Sequence, residues 1–187
     1  MSTVGAVEGA LLLCLDMQPV FVRAVEDGEG VLGRCRFAVA AARGLGLRTA
    51  FTEQVPSKLG GTDPLLLSLA DSPTVHPKDT FSALSAAGPV RGALLGDGSL
   101  EHLILCGVET PICVYQTAVD ARKEGLAVTL LSDAVGARRP ADARTCLEAL
   151  AKAGVHVLPS ETVFYSILGG TAHPFFKAYT QLVKSHG

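Results

Sequence analysis

The sequence predicts an α/β fold, a mostly parallel sheet of about six strands with helices on both faces, and three observations carry that expectation. Short branched apolar runs recur along the chain, the clearest being Leu11-Leu12-Leu13-Cys14-Leu15 and His102-Leu103-Ile104-Leu105-Cys106. Continuous runs of this kind suit strands buried on both faces, the condition of a parallel sheet. Between them lie stretches with apolar residues at helical spacing, such as Val31, Cys35, Ala38, Val39 and Ala42. At 187 residues, 48% of them hydrophobic, the chain supports one substantial core, so a single domain over residues 1–187 is expected.

Residues 10–15 read as the first strand, closed by Asp16 and followed by a loop at Met17-Gln18-Pro19. A helix over 31–45 follows, with Gly44 and Gly46 near its end. Residues 47–52 form the second strand. The segment 53–64, with Pro56, Gly60, Gly61 and Pro64, reads as a loop long enough to carry function. A short helix over 64–70 leads to a brief strand or extended edge over 74–78 that ends in Lys78. Weak helical character over 90–95 precedes the strand at 102–106. A helix over 114–124, a strand over 127–131 ending in Ser132-Asp133, a helix over 141–153 and a strand over 155–158 follow. Helices over 160–168 and 174–184 finish the chain, the last offering Phe175, Phe176, Tyr179 and Leu182 as a docking face.

Composition excludes several classes of function. A formal net charge of -2 with no cluster of Lys or Arg lacks the electrostatic footprint of a nucleic-acid binder. No apolar run approaches the ~20 residues of a membrane helix. The N-terminus has no basic region before its apolar stretch and no small-residue cleavage site, so a secretory leader is not expected. The 5 cysteines form no C-x-x-C pair, which suits a reducing cytoplasm. No G-x-G-x-x-G follows the first strand, which argues against a nucleotide-binding module.

One stretch organises the rest. Gly107-Val108-Glu109-Thr110-Pro111-Ile112-Cys113-Val114 sits where a strand hands over to a helix. Unpaired N–H groups and the positive end of the helix dipole push a thiol at that place toward thiolate, which makes Cys113 a candidate nucleophile. In parallel sheets ligands bind outside the carboxyl ends of the strands, where Asp16, Lys78 and Cys113 all fall. A thiol nucleophile needs a base, a cation to stabilise the thiolate, and N–H donors for the oxyanion. Asp16, Lys78 and the backbone around Cys113 are of the types required.

Three segments together resemble the isochorismatase-like cysteine hydrolases: Leu13-Cys14-Leu15-Asp16-Met17-Gln18, His76-Pro77-Lys78-Asp79-Thr80-Phe81-Ser82, and the stretch through Cys113. Thr52-Glu53-Gln54-Val55-Pro56 and Ala172-His173-Pro174-Phe175-Phe176-Lys177 bring the likeness closest to the subgroup called isochorismatase domain-containing proteins. The resemblance implies a Rossmann-like sheet and an Asp-Lys-Cys triad at Asp16, Lys78 and Cys113. It also implies a cis peptide between Val108 and Glu109, and an oxyanion hole formed by the N–H groups of Glu109 and Cys113. Where the nicotinamidases of this family hold a metal with Asp-x-His, this chain has Thr52-Glu53-Gln54, so neither a metal nor another cofactor is expected.

The expected activity is thioester-forming hydrolysis of an amide-like or related acyl bond in a small molecule, with Gln18, Phe21, Phe81 and Tyr115 as substrate-binding residues and Leu59 as further apolar lining. Homo-oligomers are common in the family and are expected here. The same residues also allow an alternative, a catalytically weak binding or redox-responsive protein on the same scaffold. His76, a lone imidazole before Pro77, reads as a structural residue.

Overall fold

The computed structural model describes residues 7–186. Strands β1 (Ala10–Leu15), β2 (Arg48–Gln54), β3 (Thr74–Lys78), β4 (His102–Val108), β5 (Ala127–Gly136) and β6 (His156–Leu158) form one sheet in the order β3-β2-β1-β4-β5-β6. Every pairing is parallel. The winding direction reverses between β1 and β4, the place in such a sheet where a crevice opens at the strand ends.

The helices follow in chain order: α1 (Pro19–Val22), α2 (Gly28–Leu45), α3 (Pro56–Leu59), α4 (Pro64–Ser68), α5 (Pro89–Leu95), α6 (Tyr115–Lys123), α7 (Pro140–Lys152), α8 (Ser160–Leu168) and α9 (Phe176–His186). The period-2 alternation of β1 divides the core between the two faces of the sheet. Leu12 and Cys14 pack with Phe37, Ala38 and Val39 of α2, Phe164 of α8 and Tyr179 of α9. Leu11, Leu13 and Leu15 pack on the other face with Val90 of α5, Ala118 of α6 and Leu150 of α7. A large side chain such as Phe37, with no exposed surface, contributes about 1.5–3 kcal/mol by leaving water.

The sheet and its main crossovers match the expectation from sequence, and the differences have physical causes. Helices α1 and α3 are single turns opened by Pro19 and Pro56, too short for a periodic pattern to mark them. Helix α2 begins at Gly28 rather than Val31. Asp27 caps it by accepting from the Gly30 N–H, which offsets the poor helix propensity of the two glycines. Strand β5 runs past residue 131 because its pairing with β4 steps from Leu105↔Leu130 to Gly107↔Val135 across an irregularity. Within that irregularity Asp133 accepts from Ser160 and Arg34, tying β5 to α8 and α2.

The aromatic face expected to dock a partner is already covered. Tyr179 is fully buried, with the rings of Phe37 at 5.9 Å and Tyr165 at 4.9 Å from its own. Helix α9 uses this face to close the core over α2. Among the described residues no helix is long and apolar enough to cross a membrane.

Candidate active site

Strands β1 to β4 each deliver one group to the same cluster. Asp16 follows β1, Gln54 ends β2, Lys78 ends β3, and Cys113 lies in a turn of π-helix, Thr110–Val114, between β4 and α6. Asp16 adopts a left-handed backbone, φ 54°, a conformation Asp tolerates better than most residues. Its N–H donates to the Thr52 carbonyl at 3.1 Å, and the Thr52 hydroxyl donates to Asp16 Oδ1 at 2.7 Å. The carboxylate is therefore aimed by the neighbouring strand.

The Val108–Glu109 peptide is cis. Gly107 before it has φ 109°, and any Cβ there would collide with the Leu15 carbonyl oxygen. Only glycine lets β4 run this close beside β1 as both reach the site. The π turn that follows is anchored by Thr110, whose hydroxyl donates to the Gly136 carbonyl at 3.0 Å. Single π turns recur at functional sites, where they re-aim a side chain.

Lys78 is the hub. Its Nζ lies 2.8 Å from Asp16 Oδ2, 2.5 Å from Gln54 Oε1, 3.2 Å from the Thr80 carbonyl and 3.6 Å from Cys113 Sγ. The side chains of the ion pair are 0% and 2% exposed. A buried pair of this kind persists only where further hydrogen bonds satisfy both partners, as Thr52 and Gln54 do here.

Burial, reinforced by the nearby Asp16 carboxylate, pushes the Cys113 thiol up to about 12, although Lys78 pulls in the opposite direction. This corrects the expectation that a helix start would drive Cys113 toward thiolate. Desolvation of a residue that is only 7% exposed outweighs the effect of the helix end. The resting group is a thiol beside a carboxylate.

The crevice above these groups is lined by Asp16, Phe21, Gln54, Phe81, Val108, Glu109, Ile112 and Cys113 and encloses about 70 Å³. Phe21 and Phe81 are thus brought to the sulfur, as is Glu109, whose carboxylate accepts from Arg138 at 3.0 Å. Gln18, Lys78 and Tyr115 are not among the lining residues. Gln18 is fully buried and its amide is committed to the backbone of Gln54 and Gly60, where it pins the segment after β2. Tyr115, the first residue of α6, is half-buried and packs against the core on that side of the sheet. Leu59 and His76 also lie outside the lining.

Sequence reasoning missed Thr52 and Gln54 as supports for the charged pair. Their signal was the stretch already singled out as the place of a metal motif. Thr52 holds Asp16, Gln54 holds Lys78, and Glu53 Oε1 accepts from the Thr62 N–H at 2.7 Å. All three side chains serve hydrogen bonds within the chain.

Comparison with known proteins bears on the fold and the family. Bovine isochorismatase domain-containing protein 2 is 36% identical over 174 residues, 93% of this chain and 82% of that protein. A Caenorhabditis elegans structure described as MAR1 ribonuclease superposes with a TM-score of 0.87 at 30% identity, covering 95% of this chain and 91% of its own. An Escherichia coli protein described as an octameric hydrolase of unknown specificity, 18% identical with a TM-score of 0.74, covers 95% of this chain and 93% of its own and shares the fold. The family model for the isochorismatase domain matches residues 10–162, from the first residue of β1 into α8. With the sheet, the strand-end crevice and these likenesses together, the chain belongs to the isochorismatase family and has its hydrolase fold.

Proposed function

We propose that the chain is a cysteine hydrolase that cleaves an amide-like C–N bond, or a related acyl bond, of a small molecule through a thioester on Cys113. One observation carries the reading. A sulfur, an ammonium and a carboxylate from three separate strand ends come together, the sulfur and the carboxylate lining one crevice, with Lys78 Nζ 2.8 Å from Asp16 and 3.6 Å from Cys113.

Asp16 takes the thiol proton as Cys113 Sγ attacks the carbonyl carbon, so the sulfur is ionised only during attack. The N–H groups of Glu109 and Cys113 receive the oxyanion. When the C–N bond breaks, the proton held by Asp16 passes to the leaving amine. A water then gives its proton to Asp16 and attacks the thioester, and the sulfur leaves as the acid forms, recovering its proton. Lys78 keeps the charge of Asp16 in place and offsets negative charge on sulfur. Phe21 and Phe81 flank the acyl group, and the small volume of the crevice favours a short one.

The ribonuclease description of the nematode neighbour suggests a phosphodiester substrate instead. Recognition of a polyanion relies on Lys and Arg. The charged lining here is acidic, Asp16 and Glu109, and Lys78 is already paired. The redox-responsive alternative asks for an exposed, low-pKa thiol, whereas Cys113 is buried and its thiol is held high. We read the protein further as a cytoplasmic homo-oligomer, a reading supported by its unpaired cysteines and the octameric neighbour.

A panel of small primary amides and esters, assayed for ammonia or acid release, tests the proposal. Turnover of at least one compound that vanishes in Cys113→Ala is expected. Turnover that survives Cys113→Ala would refute the assignment.

A further inference from the structure

A second group of sulfurs lies outside the crevice. Cys14 of β1 and Cys106 of β4 are register partners on adjacent strands, with side chains on the same face of the sheet. Cys35 of α2 comes down onto that pair. The three sulfurs lie within 4.8 Å of one another, and the residues are 1%, 0% and 0% exposed. Nothing in the proposed hydrolysis uses them.

The geometry points to a closed three-sulfur site for a soft monovalent cation, copper(I) above all, held by Cys14, Cys35 and Cys106 between the sheet and α2. Thiolate ligands select soft cations over hard ones. Metal–sulfur bonds of about 2.3 Å in a trigonal plane place the sulfurs about 4 Å apart, a modest contraction of the spacing present here. The surroundings are aliphatic and aromatic, and the number of sulfurs, three, is what selects copper(I).

Metal is held by thiolate rather than thiol, so three thiols plus one copper(I) give three sulfur–copper bonds and release three protons to water. No electron changes hands, and the metal–sulfur bonds offset the cost of the negative charge left in an apolar core. The Cys35 thiol now donates to the Ala134 carbonyl at 3.3 Å, a bond that is given up when its proton leaves. Zinc fits less well, because closed zinc sites take four ligands and among the described residues no fourth Cys, His or carboxylate joins the group. The cation enters when α2 lifts from the sheet or as the chain folds.

The test uses the Cys113→Ala, Cys146→Ala chain, which keeps only the three buried thiols. Reduced protein is mixed anaerobically with copper(I) in the presence of bicinchoninate as competitor, both after folding and during refolding from urea. The expected result is one copper retained per chain by at least one route, with X-ray absorption reporting three sulfur neighbours. Loss of all copper to the competitor by both routes would overturn the proposal, leaving the sulfurs as apolar packing. So would a copper with fewer than three sulfur neighbours, or tighter retention of zinc(II) than of copper(I). Adding Cys35→Ser is expected to lower retention at least tenfold with unchanged circular dichroism, and undiminished retention would also overturn the proposal. If that variant does not fold, the absorption spectrum of the parent decides.

Discussion

The chain buries sulfur in two settings that differ by what surrounds it. At Cys113 the neighbours are an ion pair and an open crevice. At Cys14, Cys35 and Cys106 they are one another and the hydrocarbon under α2. Both settings bury the sulfur, so burial alone does not make a nucleophile. What separates them is a carboxylate able to accept a proton, and a path by which a carbonyl carbon can arrive.

The largest expected effect splits the two settings directly. Cys113→Ala will abolish turnover, by about 10⁴-fold or more, while leaving the melting temperature nearly unchanged. Cys35→Ala will do the reverse, costing on the order of 1 kcal/mol in urea denaturation with kcat retained. The comparison breaks if both variants lose activity alike.

The ion pair is next. Lys78→Met strands the Asp16 carboxylate in a site that is 2% exposed, and is expected to cost about 3–5 kcal/mol, read from the denaturation midpoint. A cost below ~1 kcal/mol would mean that the pair is wetter than its burial implies.

The thiol itself offers a pH test that needs no substrate. Because the Cys113 thiol is held at about 12 against an ordinary 9.0, its thiolate fraction and its alkylation by iodoacetamide should rise about tenfold per pH unit from pH 7 to 10, without a plateau. A plateau near pH 8 would indicate a preformed thiolate. Asp16→Asn removes a charge that holds the thiol up, so this variant should alkylate faster at pH 8 while hydrolysing more slowly. Thr52→Val deletes the 2.7 Å hydrogen bond to Asp16 and should cost about 1–3 kcal/mol with only a partial loss of kcat.

Much of this was legible in the sequence because it follows from patterns of period 2 and 3.6. The runs through Leu12 and Ile104 announced β1 and β4, and Asp16, Lys78 and Cys113 stand at the strand ends where such a sheet binds ligands. Geometry that depends on neighbours distant in the chain was hidden. The amide of Gln18 is spent on Gln54 and Gly60, and Tyr115 packs against the core beside α6, contacts that no pattern along the chain reveals. The direction of the Cys113 shift was misjudged because a helix start is visible in sequence while desolvation is not. The meeting of Cys14 with Cys106 required the register of two strands that lie far apart in the chain.

The central claim is that Cys113 carries the acyl group between the two half-reactions. Acid-quenched intact-mass spectrometry of the chain mixed with a turned-over amide tests it most directly. The account predicts an adduct equal to the acyl group, mapped to Cys113 and absent from Cys113→Ala. Hydrolysis that proceeds with no such adduct at any quench time, and that continues in the alanine variant, would contradict it.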